Sequence, residues 1–341
     1  MMAIISRLCD HVSYHSSRRR IVPRLLILVV LMSVTPTRTV TSTPTAQTTS
    51  SGSIALGAMI DGAPWDPTKI DAFTSLIGKS PAIVMWYQSW ANTGSKEFSP
   101  TRMNAVVARG AMPMVTWEPH DYTRGVDQPT FALRVIASGT HDAYIRQWAR
   151  DAKAWGKPFY LRFGHEMNGN WYSWGQGVNG NSPEHYIAAW RRIVNIFRAE
   201  GTTNVRWVWC PMAGRPFTTL YPGDSYVDWV GLDGYNWGTS QSWSSWKSML
   251  MVFGSSYTTL ASMTTKPILI GETASATVGG DKAAWIRQGF LTDLPTKFPR
   301  IKAVIWFHKL KEADWRINSS ATTLDAYKAA VVDSRYQGRL P

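Results

Sequence analysis

Two glutamates in matching contexts, Glu166 and Glu272, are the residues of this chain best placed to do chemistry. Glu166 lies in Arg162-Phe163-Gly164-His165-Glu166-Met167-Asn168-Gly169-Asn170-Trp171-Tyr172-Ser173-Trp174-Gly175, directly after an apolar run over 158–163. A short apolar run bounded by turn residues reads as a buried strand, so this carboxyl stands at a strand tip. Glu272 repeats the grammar in Pro267-Ile268-Leu269-Ile270-Gly271-Glu272-Thr273-Ala274-Ser275. Such a carboxyl can hand a proton to a glycosidic oxygen, while neighbouring aromatic rings stack on pyranose faces. Most glycosidases flank the scissile bond with two carboxyls, roughly 5–5.5 Å apart in the retaining type, one as acid/base and one as nucleophile. The rival for the first segment is a zinc motif, His-Glu-x-x-His on a helix. It fails because the fourth position after His165 is Gly169 and the preceding segment is strand-like. The bland alternative is a structural Glu at each strand end, and it requires a special environment, since buried charges are rarely left without a partner.

Elements must then bring the two tips together. Runs rich in β-branched or aromatic residues predict strands over 54–60, 81–87, 112–118, 158–164, 205–210, 227–233, 267–272 and 302–307. Amphipathic spacing predicts helices over 142–155, 183–200 and 281–290. Ser182-Pro183-Glu184 is a start signal for the second helix and Gly201 a stop. Eight strands alternating with helices imply an α/β fold, a (β/α)8 TIM barrel with a single catalytic domain. No G-x-G-x-x-G follows the first strand, so a dinucleotide-binding fold lacks support. In a barrel the site lies at the C-terminal strand ends. Glu166 then ends strand four and Glu272 strand seven, facing each other across the mouth.

Composition narrows the class. The chain has 341 residues, 44% hydrophobic, enough for one large core. Its 18 Trp all fall between positions 65 and 315; some must be core, and those after strand ends are candidate sugar platforms. The net charge of +13 could indicate nucleic acid. Positions 1–40 hold six basic residues and one acid, a net of +5, which leaves +8 scattered over the remainder without a basic stripe. No nucleic-acid partner is therefore expected.

The N-terminus carries Arg18-Arg19-Arg20 and Arg24, then a compact apolar stretch over 25–32. This fits a secretory signal, and the stretch is short against the ~20 residues of a membrane span. Residues 1–34 are read as a signal peptide or N-terminal anchor, 35–53 as a Thr/Ser-rich linker, and 54–341 as the hydrolase domain. A secreted, extracellular monomer is expected, with no membrane contact beyond the leader. Beyond the leader Cys210 stands alone, so no intrachain disulfide forms there.

Other predicted strand tips offer supporting residues. Trp117-Glu118-Pro119-His120 ends strand three, Asp233-Gly234-Tyr235-Asn236-Trp237 strand six, and Trp306-Phe307-His308 strand eight. Tyr235 is a candidate hydrogen-bond partner of the nucleophile, Trp306 a candidate floor under the cleaved sugar, and His165 a candidate orienter of a hydroxyl or a carboxyl. Glu118 and Asp233 are held as reserve carboxylates, and Arg162 as a charge that could hold either Glu. Trp207 and Trp209 share a strand face and are read first as packing.

Taken together, these residues resemble glycoside hydrolase family 26 over 54–317. The resemblance rests on His165-Glu166-Met167-Asn168-Gly169 with Trp171, Tyr221-Pro222-Gly223-Asp224, Asp233-Gly234-Tyr235, Gly271-Glu272 and Trp306. It implies endo-hydrolysis of a β-1,4-linked polysaccharide, β-mannan first and mixed-linkage β-1,3-1,4-glucan second. By position Glu166 resembles the family's acid/base and Glu272 its nucleophile, while His165, Trp117, Trp171, Tyr235 and Trp306 resemble residues lining the cleaved sugar's subsite. The chain departs after the nucleophile, with Thr273-Ala274-Ser275 where many mannanases continue with an aromatic residue and Gly. No metal and no organic cofactor is implied. A non-catalytic carbohydrate-binding barrel is the alternative class, and binding without turnover would be its signature.

Overall fold

The computed structural model describes residues 53–91 and 96–336. The leader and nearly all of the linker expected from sequence lie outside the described residues. Eight parallel strands, β1 (Ala55–Ile60), β2 (Ile83–Ser89), β3 (Met112–Glu118), β4 (Phe159–Phe163), β5 (Val205–Trp209), β6 (Trp229–Asn236), β7 (Ile268–Ser275) and β8 (Ile301–His308), close into a barrel. Closure is made by β8 pairing with β1 from Ala55↔Ala303 to Ile60↔His308. This is the (β/α)8 fold that the alternation of elements implies. Among the described residues no helix is long and apolar enough to cross a membrane.

The helices form where local signals and packing agree. Asp142–Trp155 buries Ile145, Trp148, Ala149 and Ala152 and ends at Gly156, whose φ of 77° needs no Cβ to be accommodated. Pro183–Ala199 begins at Ser182, whose side chain accepts from the His185 N–H while His185 returns the bond to the Ser182 N–H. The third expected helix is shorter, Lys282–Gln288, and passes into a π-helical turn over Gly289–Asp293.

Two irregularities in the sheet matter for the site. The β6–β7 register shifts between Leu232 and Asp233, and the β7–β8 register between Ile270 and Thr273. A bulge of this kind re-aims side chains that strict alternation would send to opposite faces. Gly271 faces the barrel interior, where an added Cβ would lie 2.5 Å from Asp233 Oδ1 and 2.6 Å from Cys210 Sγ. The next residue, Glu272, nevertheless also turns inward and meets Arg162. The shift at Ile270/Thr273 permits both, and only glycine leaves room at 271.

Candidate active site

Arg162 is the hub. It enters the barrel interior from β4 and is fully buried, as is Asp233 from β6, and Glu272 from β7 is nearly so. Its Nη1 donates to both Asp233 oxygens at 2.8 Å, its Nη2 donates to Glu272 Oε1, and its Nε donates to Thr116 Oγ1 at 2.9 Å. Burying an ion pair is tolerated when geometry is good and the remaining polar groups are bonded. The guanidinium meets that condition on three edges. Glu272 gains a further bond from the Tyr235 hydroxyl, which donates to Oε2. Its carboxylate is thus oriented at both oxygens, with a positive charge alongside.

Glu166 sits in a different environment. It adopts a left-handed backbone, φ 49°, directly after β4. Its N–H donates to the Cys210 carbonyl at 2.8 Å, and its own carbonyl accepts from the Gly169 N–H at 2.9 Å, which fixes the turn. Strain of this kind at a strand tip persists only where surrounding contacts over-determine it. The side chain meets no cation at hydrogen-bond distance; its one close partner among the described residues is Trp171, whose Nε1 donates to Oε2 at 2.6 Å. Burial, with the Glu272 charge adding, pushes the Glu166 carboxyl up to about 8, against a smaller opposing pull from Trp171. At neutral pH Glu166 therefore holds a proton. A carboxyl that keeps its proton at neutral pH is suited to act as an acid.

His165 lies beside them with no exposure, its Nε2 3.8 Å from Glu272 Oε1 and its Nδ1 3.7 Å from Glu118 Oε1. Burial, with Arg162 second, holds the imidazole well below its usual range, so it is neutral. Glu118 is a third carboxyl at the mouth; burial raises it to about 8, and the Tyr122 hydroxyl donates to its Oε2. His165, Asp233 and Glu272 bring possible metal-ligand atoms within 4.8 Å of one another. Arg162 already compensates two of those three groups, and a cation there would face the guanidinium charge.

The residues expected from sequence divide sharply. Glu166, Glu272, His165, Trp171 and Tyr235 meet at the mouth through the contacts above. Trp117 and Trp306 do not, and this corrects the expectation that they line the sugar's subsite. Both are fully buried on the outer face of the barrel. Trp117 donates to the Tyr144 hydroxyl at 3.0 Å and lies 4.9 Å from the Trp148 ring, both on the flanking helix. Trp306 packs on Trp285, Phe290 and Tyr327 and donates to the Trp315 carbonyl at 2.8 Å. The cause is strand phase: Thr116 and Glu118 point inward, so Trp117 between them points out. Trp207 and Trp209 also face outward, against Phe197 and Tyr221 respectively. Among the residues at the mouth that sequence reasoning missed are Tyr87, 5.8 Å from His165, and Tyr122. No local signal marks the latter, since residues 119–122 are loop and a four-residue spacing pairs side chains only on a helix.

A (β/α)8 barrel with one carboxyl just beyond its fourth strand and another on its seventh has the layout that glycoside hydrolysis requires. Comparison with known proteins agrees. Residues 82–288 match the model of glycosyl hydrolase family 26. Endoglucanase H of Acetivibrio thermocellus is 44% identical over 288 residues, 82% of this chain and 30% of that protein. Mannan endo-1,4-beta-mannosidase of Bacillus subtilis is 43% identical over 77 residues, 21% of each chain. The chain thus spans less than a third of the length of either relative. Among solved structures, a Cellulomonas fimi endo-beta-1,4-mannanase superposes with a TM-score of 0.64 at 20% identity, over 83% of this chain and 72% of that one, a likeness of fold. The chain belongs to glycosyl hydrolase family 26.

Proposed function

We propose that this domain cleaves internal bonds of a β-1,4-linked plant-type polysaccharide by double displacement. Glu272 attacks the anomeric carbon as Glu166 protonates the leaving oxygen; Glu166 then takes a proton from the water that releases the sugar. One observation carries the assignment: Glu166 is buried and protonated at neutral pH, while Glu272 is paired with Arg162 and held by Tyr235. A nucleophile must be held in place, as Arg162 and Tyr235 hold Glu272, and an acid must keep its proton, as burial makes Glu166 do.

Mannan is the first substrate, in line with the mannanases among the relatives. A second reading, β-glucan, has a specific observation behind it: the match reaching across most of this chain is to a protein named an endoglucanase. Release of reducing ends from mannan, barley-type glucan and xylan tests the proposal, and the ratio of the first two rates separates the readings. No release from any of the three would overturn the endo-hydrolase assignment. Proton NMR of the first product should show the β-anomer; an α-anomer would mean inversion and a wrong role for Glu272.

The basic-then-apolar leader supports action outside the cell, and we propose that the protein acts as a monomer. An intact leader on protein recovered from the cell interior, or a dimer by light scattering, would count against this part.

A further inference from the structure

The loop after β6 carries two tryptophans, Trp237 and Trp243, that the catalytic reading leaves unused. Tyr235, which holds Glu272, lies 6.2 Å from Trp237, and Trp237 lies 5.4 Å from Trp243. Trp315 braces the inner end, 5.1 Å from Tyr235 and 4.9 Å from Trp237. The series runs from the nucleophile to the rim, and its outer member is 70% exposed, the most exposed Trp among the described residues. An indole at this exposure leaves a large flat face open to a ligand.

The loop that presents it is not slack. Asn236 Oδ1 accepts from the N–H of Gly238 at 3.2 Å and of Lys247 at 2.9 Å, clamping the two ends of the loop together. Within it, the Ser244 hydroxyl donates to the Gly238 carbonyl at 2.8 Å, with the Gln241 carbonyl 3.1 Å away as an alternative acceptor, and the Ser240 N–H donates to the Trp237 carbonyl at 3.0 Å. Gly238, with φ 54°, packs so closely that a Cβ would lie 1.9 Å from the Val278 carbonyl oxygen. A rigid support lowers the ordering cost of binding, which is what a preformed platform needs.

We propose that Trp237 and Trp243 form a distal subsite that takes a pyranose ring of the same glycan, beyond the sugar held over Glu272. This rests on the polysaccharide-hydrolase reading above. Pyranose rings present C–H faces that stack on indole, and a flat, fixed ring at the rim selects for chain length more than for sugar identity. Trp243 then contributes to KM on long substrates and not to the chemical step.

The test compares wild type with Trp243→Ala and Trp243→Phe on the polysaccharide and on an activated aryl glycoside of the matching disaccharide. In Trp243→Ala, KM on the polysaccharide should rise about fivefold to tenfold, the equivalent of losing one stacked aromatic contact. kcat should stay near wild type, and kcat/KM on the disaccharide glycoside should fall much less. Trp243→Phe should recover part of the loss. The exposed position makes misfolding an unneeded explanation, and matching melting curves verify that. Equal KM values for wild type and Trp243→Ala on the polysaccharide, with hydrolysis intact, overturn the subsite alone. Lack of hydrolysis by wild type on any glycan, with no glycan-induced change in its tryptophan fluorescence, overturns both the subsite and the reading beneath it.

Discussion

The tips of β4 and β7 look alike as sequence and differ as chemistry. In sequence each is an apolar run followed by a Glu and small residues; in the structure Glu166 does lie in the loop beyond β4, whereas β7 continues to Ser275 with Glu272 still paired to Asp233. At β7 the carboxyl meets a guanidinium and a phenol. At β4 it meets an indole N–H and burial, with a neighbouring negative charge across the mouth. The difference teaches that the role of a carboxyl is written by what surrounds it. Glu272 is supplied with charge compensation, as the proposed nucleophile needs, while Glu166 is denied it and keeps its proton, as the proposed acid needs.

Substituting the two residues should separate them most strongly. Glu272→Ala should lose turnover on every substrate. Glu166→Ala should lose about 10²–10⁴-fold on polysaccharide, where the leaving group needs protonation, yet retain activity on an activated aryl glycoside. Azide should restore turnover of Glu166→Ala and yield a β-glycosyl azide, whereas any azide product of Glu272→Ala should be the α-anomer. Identical behaviour of the two variants would erase the distinction drawn here, and folding of both is checked by melting curves.

The next effect is on stability. Arg162→Met removes the only cation bonded to Asp233 and Glu272 among the described residues. Breaking a buried pair from one side costs about 3–5 kcal/mol, so the denaturant midpoint should fall steeply. A variant as stable as wild type would show that the two carboxyls do not depend on this hub.

The pH profile sharpens the β4 side. As the proposed acid, Glu166 works only while protonated, so the alkaline limb of kcat/KM should fall as pH rises through about 8. Trp171 lowers the Glu166 carboxyl by donating to it, so Trp171→Phe should move this limb to higher pH. Glu118 is raised to a similar value, and Glu118→Gln should leave the limb in place if Glu166 owns it.

The smallest catalytic effect belongs to Trp117, one residue from the inward-facing Glu118. Trp117→Phe loses one hydrogen bond to Tyr144, whose hydroxyl keeps its bond to the Lys96 carbonyl at 2.7 Å. The expected cost is about 1 kcal/mol, a Tm drop of about 2–4 °C, with KM unchanged. A large rise in KM would restore Trp117 to the sugar's subsite.

What the sequence determined by itself is the alternation of strands and helices, the capped helix starting at Pro183, and the placement of Glu166 just beyond one strand and of Glu272 in the C-terminal half of another, which runs on to Ser275. These are local signals, carried by runs of a few residues and their turn chemistry. Period two also groups Thr116 with Glu118 and sets Trp117 apart, but periodicity cannot say which face looks inward. That phase was decided by closure of the barrel, and it sent Trp117 and Trp306 into the helical layer and Glu118 into the mouth. The register shift beside Glu272 was equally invisible, because it is a property of three paired strands and not of one. The division of labour between the two glutamates came last. It depends on burial and on charges such as Arg162, 110 residues from Glu272 along the chain, and such sums over distant groups exist only once the chain is folded.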